Sequence, residues 1–301
     1  MSAGFLPIAR RQPADPASFV EGGPAGASAD RFRRPEGKRL SSLRGSPTRI
    51  LRLALLLALQ PVGAPLGRGR RPGDLDPTFG SGGKVTTDFG GGSDVAIGVA
   101  LQPDGKIVAA GTTSTPGVGG FSDFALARYN SDGSLDATFG SGGKVTTDFG
   151  GGAEAVALQP DGKIVAAGSA SPGATIFSDF ALARYNPDGS LDATFGSGGK
   201  VTTEFTGNFD QANAVALQPN GKIVAAGTAN TGTTLEFALV RYKKHGGLDP
   251  SFGSGGKVTT DFTGSNDVAC GVALQPDRKI VAVGHAGTAN SDFALARYLV
   301  E

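Results

Sequence analysis

The stretch FGSGGKVTTDFG occurs twice, letter for letter, at residues 79–90 and 139–150, and near-copies begin at Phe195 and Phe252. Each copy belongs to a longer motif that begins LDPTFG, LDATFG or LDPSFG, and successive motifs are 60, 56 and 57 residues apart. A fixed period of this length indicates a repeat architecture. Four repeats therefore fill the chain from Leu75 onward, at 75–134, 135–190, 191–247 and 248–301.

Each repeat contains four short segments with the pattern of β-strands. We name them by their sequences: strand A is KVTTDF, strand B is AIGVALQ, strand C is KIVAAG and strand D is FALARY. Strands A and D alternate at period two, with Val85, Thr87 and Phe89 on one face of strand A. Strands B and C are nearly all apolar, which is typical of strands that are covered on both faces. No segment after residue 75 has a sustained helical period, so the sequence predicts an all-β fold.

The connection between strands B and C is QPDGK or QPNGK in three repeats. Pro followed by Asp-Gly predicts a tight turn in which Gly adopts a positive φ. The fourth repeat has QPDRK, so Arg278 is expected to adopt this left-handed conformation.

Four antiparallel strands per repeat predict a β-propeller of four four-stranded blades, which either closes alone or is half of a larger ring. The B–C and D–A loops have constant length, whereas the A–B and C–D loops vary. Because strand directions alternate, the two variable loops share one face. Binding residues tend to lie on variable loops over a rigid scaffold, so this face is the predicted binding surface.

The motifs LDPTFG, GGKVTTDF, VALQPDGKIVAAG and DFALARYN resemble those of the delta-60 repeat family of bacterial β-propeller proteins. The resemblance covers residues 75–301. It implies a propeller, often in exported or surface proteins, and it implies no activity. Two positions depart from the pattern, namely Arg278 at the turn glycine and YKKHGG, which begins at Tyr242.

The N-terminal quarter has a different composition. Residues 1–72 contain 13 of the 28 Lys and Arg residues but only 4 of the 27 Asp and Glu residues. We expect a disordered basic leader at 1–49, a signal-like apolar segment and linker at 50–72, and the propeller at 73–301. The apolar run is too short to span a bilayer, so no integral membrane domain is expected. The arginines lack interleaved aromatic residues, so we expect no nucleic-acid binding. The apolar run behind Arg49 and Arg52 fits an export signal, so we expect export to the bacterial surface or medium.

The glycine-rich GSGGK invites comparison with a nucleotide-binding loop. A phosphate-binding loop needs Ser or Thr after the Lys and a helix N-terminus facing the phosphate. Here Val85 follows Lys84 and a strand is predicted next. The sequence therefore predicts a structural turn.

Four carboxylates recur at the end of strand A, and they are the predicted ligand candidates. If strand A is innermost, they would ring the channel mouth and could take a cation. The alternative is pairing with the strand D arginines Arg128, Arg184, Arg241 and Arg297. The four carboxylates are Asp88, Asp148, Glu204 and Asp261.

The remaining polar motifs give no reason to expect a cofactor. The NSDGSLD loop at 130–136 and its NPDGSLD counterpart at 186–192 cluster oxygen atoms, but their spacing is not that of an EF-hand. Asx-turns explain them better, with calcium binding as the open alternative. The single thiol, Cys270, is predicted to be a small core residue. One tyrosine per strand D is predicted to pack between blades.

The sequence thus favours a non-enzymatic, exported β-propeller that binds or scaffolds a protein or glycan partner through the A–B/C–D face. No catalytic residue is predicted. The alternative is a propeller-fold glycoside hydrolase or lyase with carboxylates at the channel mouth. The near-identity of the repeats argues against the hydrolase or lyase hypothesis, because catalysis needs one asymmetric set of groups. The chain is expected to be a monomer or a dimer.

Overall fold

The computed structural model describes most of the chain after residue 70. The predicted leader at 1–49, nearly all of the signal-like segment, and parts of the variable loops at 115–121 and 172–176 lie outside the described residues. The described residues are 71–114, 122–171, 177–206, 209–232, 234–262, 264, 266–287 and 290–300.

These residues form fifteen strands in four antiparallel sheets, and no helix long and apolar enough to cross a membrane occurs among them. The sheets follow one another along the chain, and we number them as blades 1 to 4. Blade 1 contains β1 (Asp94–Leu101), β2 (Ile107–Ser114), β3 (Ser122–Tyr129) and β4 (Lys144–Thr147); blade 2 contains β5 (Ala153–Leu158), β6 (Ile164–Ala170), β7 (Asp179–Tyr185) and β8 (Lys200–Thr203); blade 3 contains β9 (Asp210–Leu217), β10 (Ile223–Asn230), β11 (Leu235–Tyr242) and β12 (Lys257–Thr260); blade 4 contains β13 (Asp267–Leu274), β14 (Ile280–Ala286) and β15 (Asp292–Tyr298).

The blades are offset from the sequence repeats by one strand. In blade 1 the strand order is β1-β2-β3-β4, so strands B, C and D of the first repeat pair with strand A of the second. Phe124 lies opposite Thr147 and Ala127 opposite Lys144 in this pairing. Blades 2 and 3 are built in the same way, whereas blade 4 has three strands among the described residues.

The first copy of KVTT differs from the others. A strand was predicted there, but residues 85–88 form none, and Lys84 makes only an isolated bridge to Gly80. The physical reason is the offset. Each strand A pairs with strand D of the preceding repeat, and among the described residues no strand D lies beside the first copy.

Strand B is the inner strand of each blade. The strands β1, β5, β9 and β13 pack against one another in chain order, whereas the KVTT strands form the opposite edge of each sheet. Apolar side chains between consecutive blades form three separate clusters. Phe124 and Leu126 of blade 1, for example, are fully buried against Ile164 and Tyr185 of blade 2. The predicted all-β propeller blades are therefore confirmed.

The B–C turns have the predicted backbone. Gly105, Gly162 and Gly221 have φ values of 85°, 82° and 81°. Arg278, at the same position in blade 4, has a φ of 70° and is the one residue other than glycine with a positive φ among the described residues. The prediction for Arg278 is confirmed.

Candidate binding site on the inner strands

The four predicted carboxylates lie at the outer edge of the blades, because each follows a KVTT segment. The structure does not bring Asp88, Asp148, Glu204 and Asp261 together beside the inner strands. The Asp88 carboxylate accepts hydrogen bonds from the backbone N–H groups of Gly90 and Gly91, which lower its pKa. Ligand binding by these four residues stays a prediction, and their position at the outer edge gives it no support.

The lysine of GSGGK has a structural partner. The Nζ atom of Lys144 donates to the carbonyl oxygen of Asp88 at 2.8 Å and lies 5.7 Å from the ring centre of Phe89. Lys200 and Lys257 repeat both contacts in the next two repeats. The Gly140 N–H donates to the carbonyl of Asp188. These contacts tie one repeat to the next, as expected of a structural turn.

Three of the strand D arginines, namely Arg128, Arg184 and Arg241, bind carboxylates other than the four considered in the sequence. Arg128 Nε lies 2.7 Å from Asp136 Oδ2, and Lys106 Nζ lies 2.9 Å from the same oxygen. We call each such Lys, Asp and Arg a junction triad. The other two are Lys163, Asp192 and Arg184, and Lys222, Asp249 and Arg241.

The junction triads join blades because each arginine also reaches the following blade. Arg184 Nη1 donates to the carbonyl of Lys244 at 2.5 Å, and Arg128 makes the same contact with Pro187. Burial raises the pKa of Asp192, but hydrogen bonds from Lys163 and Thr194 and the charge of Arg184 outweigh it and hold the pKa well below the ordinary value. These aspartates were not among the predicted site residues, although each belongs to the repeated LDPTFG-like motif.

The remaining repeated polar residues are also structural. Asp132 and Asp188 accept hydrogen bonds from the backbone and hydroxyl groups of Ser134 and Ser190, which are the predicted Asx-turns. The Tyr185 hydroxyl lies 2.8 Å from Thr147 Oγ1 inside the first inter-blade cluster, so this tyrosine packs between blades as predicted. Calcium binding by the NSDGSLD loops stays a prediction.

One position on the inner strands breaks the repeat. Each inner strand carries a β-bulge at the same place, and the bulged residue has no partner in the ladder. Bulges redirect a side chain and are common next to functional sites. We call these residues the bulge row: Ile97, Glu154, Asn213 and Cys270.

The bulge row is linked across blades by hydrogen bonds. Glu154 Oε1 accepts from Gln211 Nε2 of the next blade at 3.0 Å, and Asn213 Nδ2 donates to the Ala269 carbonyl of the blade after it at 2.8 Å. Burial raises the pKa of Glu154, and the bond from Gln211 only partly offsets it. The row therefore offers a half-buried carboxylate and an amide that are fixed in position.

Cys270 departs from its prediction as a core residue. Its side chain is exposed, and its Sγ atom lies 4.0 Å from His285 Nδ1. The bulge is the reason, because Ala269 and Val272 pack against blade 3 while the bulged side chain faces away.

The bulge row lies close to the predicted binding face. Ile97 is three residues into β1, which begins after the first A–B loop, and Leu101 ends the strand at the B–C turn. Ile97, Asn213 and Cys270 are three residues from the start of their strands and four from the end, so the bulge row is slightly nearer the variable A–B/C–D loops than the constant ones. Among the described residues, no group of three His, Cys, Asp or Glu side chains could hold a metal ion.

Comparison with known families gives four matches along the chain. Residues 102–139, 159–195, 218–252 and 275–300 match the family described as "Domain of unknown function (DUF5122) beta-propeller". Each segment runs from a B–C turn through strands C and D, and the first three continue into the next LDPTFG-like motif. A β-propeller repeat family is thereby supported, while the delta-60 name stays a resemblance.

The solved structures that resemble the chain are only distantly similar to it. A protein of unknown function from Bacteroides caccae has 12% identity and a TM-score of 0.38, over 64% of this chain and 57% of that chain. A GH43_12 protein from a capybara gut metagenome has 12% identity and a TM-score of 0.36, over 75% and 41%. The chain thus spans 57% and 41% of their lengths. No curated protein matches the chain.

Proposed function

We propose that this chain, four segments of which match a β-propeller repeat family, is a non-enzymatic, exported module that binds or scaffolds a protein or glycan partner. The binding surface is the variable A–B/C–D face together with the bulge row. The observation that carries this proposal is the bulge row itself, in which Ile97, Glu154, Asn213 and Cys270 differ in an otherwise repetitive scaffold.

The chemistry of the bulge row supports recognition of a polar partner. The Glu154 carboxylate is positioned by Gln211 and keeps acceptor capacity, because an ionised carboxylate can accept about four hydrogen bonds. Binding sites combine apolar surface with a few oriented polar groups, and Ile97 supplies exposed apolar surface at the same level. Sugar hydroxyls and peptide amides both match these groups.

The test of this proposal is binding together with turnover. The full-length chain is applied to a glycan array and to a pool of surface proteins, and polysaccharide mixtures are assayed for released reducing ends. We expect the chain to retain a partner and to release no product from the polysaccharides. Glu154→Gln should lower the affinity for that partner about 10-fold or more. The matched control is Asp161→Asn, the same charge change at an exposed B–C turn of the same blade.

The second candidate, a glycoside hydrolase or lyase, is favoured by one observation. Burial raises the pKa of Glu154, and a general acid in such an enzyme needs a raised pKa. A glycosidase also needs a second carboxylate about 5–10 Å away. If the chain releases product from a polysaccharide and Glu154→Gln abolishes this release, the enzyme replaces the binding proposal.

Export rests on the sequence around Arg49 to Leu59, where two arginines precede the apolar run. N-terminal sequencing of the native protein tests it. A mature terminus downstream of this run is expected, and one upstream of residue 50 would contradict export.

A further inference from the structure

The three described junctions between blades have the same composition on their leading side. In each, two residues of strand C and two of strand D point toward the following blade and are at most 1% exposed. We call each such set a junction quartet. The three quartets are Val108, Ala110, Phe124 and Leu126; Val165, Ala167, Phe180 and Leu182; and Val224, Ala226, Phe237 and Leu239.

Blade 4 has a fourth quartet, and among the residues that the structure describes no other blade packs against it. Its members are Val281, Val283, Phe293 and Leu295, and Phe293 is 98% exposed while Leu295 is 61% exposed. Both positions are fully buried in blades 1 to 3. Blade 4 therefore ends in an apolar face of the same composition as three faces that are covered.

Blade 1 has the opposite half of a junction. Val99 and Leu101 of β1 are 67% and 72% exposed, whereas Val156 and Leu158, which replace them in blade 2, pack against the first quartet. A cavity of about 260 Å³ opens on this side of blade 1, and Val85, Ala109, Ala125, Ala127 and Tyr129 line it. The counterparts of these lining side chains at the junction of blades 1 and 2 pack in one cluster with the first quartet.

The Lys84–Thr87 segment is already held where the edge strand of a preceding blade belongs. Thr87 Oγ1 lies 2.7 Å from the Tyr129 hydroxyl, which is the contact that Thr147 makes with Tyr185. In blade 1 that edge strand, β4, pairs with β3. The corresponding strand D is β15, whose described pairing is with β14 alone. The register of the other blades would place Phe293 opposite Thr87 and Ala294 opposite Thr86.

The strand D arginine of blade 4 also lacks the burial of its counterparts. Arg297 is exposed, although the other three strand D arginines are at most 5% exposed. Lys279, at the position of the triad lysines, pairs with Asp277 at 2.7 Å. The turn before blade 1 has the form of the later LDATFG turns, since Asp76 Oδ1 accepts from Thr78 Oγ1 at 2.7 Å as Asp136 does from Thr138.

From these half-junctions we infer that a second copy of this chain docks head to tail, with blade 4 of each copy on blade 1 of the other. The occupant is a second copy because the two surfaces complement each other in apolar composition and strand register, as the two sides of each covered junction do, and each chain carries one of each. Two copies make two such contacts and close a ring of eight blades, within the range of propellers. Within one chain both surfaces remain exposed.

Cross-linking of the full-length chain tests the docking. Thr86→Cys and Ala294→Cys are combined with Cys270→Ser, and the oxidised product is sized under denaturing conditions. Paired residues of adjacent strands have Cα atoms about 4.5–5.5 Å apart, within disulfide range. A covalent dimer is expected. A cross-linked monomer, which would mean closure within one chain, an open ladder of polymers, or no cross-link would each overturn the inference.

Light scattering over a concentration series gives an independent measurement. The chain is expected at twice its 30.2 kDa mass. Phe293→Asp is expected to weaken the dimer about 1,000-fold, from a loss of about 30-fold at each of two junctions. The control Phe209→Asp changes an exposed Phe before blade 3, away from both surfaces, and should leave the dimer intact. A monomer, or a dimer that Phe293→Asp does not affect, would contradict the inference.

Discussion

Removing one charge from a junction triad is the sharpest test of how the blades are held together. In the triad of blades 2 and 3, Asp192 Oδ2 lies 2.7 Å from both Arg184 Nε and Lys163 Nζ. Asp192→Asn keeps the shape of the side chain but leaves Arg184, whose side chain is 5% exposed, without its counter-charge. Breaking a buried ion pair in this way costs about 3–5 kcal/mol.

This cost is measurable as a change in the free energy of unfolding. A domain of this size loses roughly 2–4 °C of melting temperature per kcal/mol, so Asp192→Asn should lower it by about 6–20 °C. Urea unfolding followed by circular dichroism gives the free energy itself. The matched control Asp161→Asn removes an exposed carboxylate of blade 2 and should change the free energy of unfolding by less than about 0.5 kcal/mol.

A double variant separates the charge from the packing. Arg184→Met combined with Asp192→Leu removes both members of the pair, and replacing a buried pair by apolar residues is often neutral. The double variant should therefore recover most of the stability that Asp192→Asn loses. A loss below about 1 kcal/mol for Asp192→Asn alone would refute the view that the triads hold the blades together.

Three further predictions concern single features of the scaffold. The pKa values of Asp136, Asp192 and Asp249 are lowered in the folded chain, so these carboxylates contribute stability above the unfolded pKa of about 3.8. That stability is lost as the pH falls below this value. The free energy of unfolding, measured as a function of pH, should therefore decrease steeply there, and less steeply in Asp192→Asn. Arg278→Gly should raise stability by about 1 kcal/mol in urea unfolding, because it removes a non-glycine residue from the left-handed region, and no gain would contradict the turn assignment. Thr147→Val leaves the buried Tyr185 hydroxyl without its partner and should cost about 1–3 kcal/mol by calorimetry, whereas an unchanged melting temperature would show that this contact is not formed.

The sequence predicted the parts of this fold that depend on local chemistry. The QPDGK turns, the positive φ of Arg278 and the strand character of B, C and D follow from residues near one another in the chain. The blade boundary did not follow, because a periodic sequence can be divided anywhere. Only the pairing of β3 with β4 shows that strand A completes the preceding blade.

The site was harder to predict because its geometry is long-range. Each strand D arginine had several candidate carboxylates in the repeat, and packing of the LDATFG turn selected Asp136 for Arg128. The bulge row had a signal in the sequence, since Glu154 and Asn213 occupy a position that differs in every repeat. That difference points to function only once the bulge shows where the side chains lie.

The most direct test of the binding account is titration calorimetry with the partner that the array or the pull-down identifies. The wild-type chain and Asp161→Asn should bind it with equal affinity, and Glu154→Gln should bind it about 10-fold or more weakly without any heat of turnover. Equal affinity of Glu154→Gln and wild type would show that the bulge row takes no part in binding and would contradict the account.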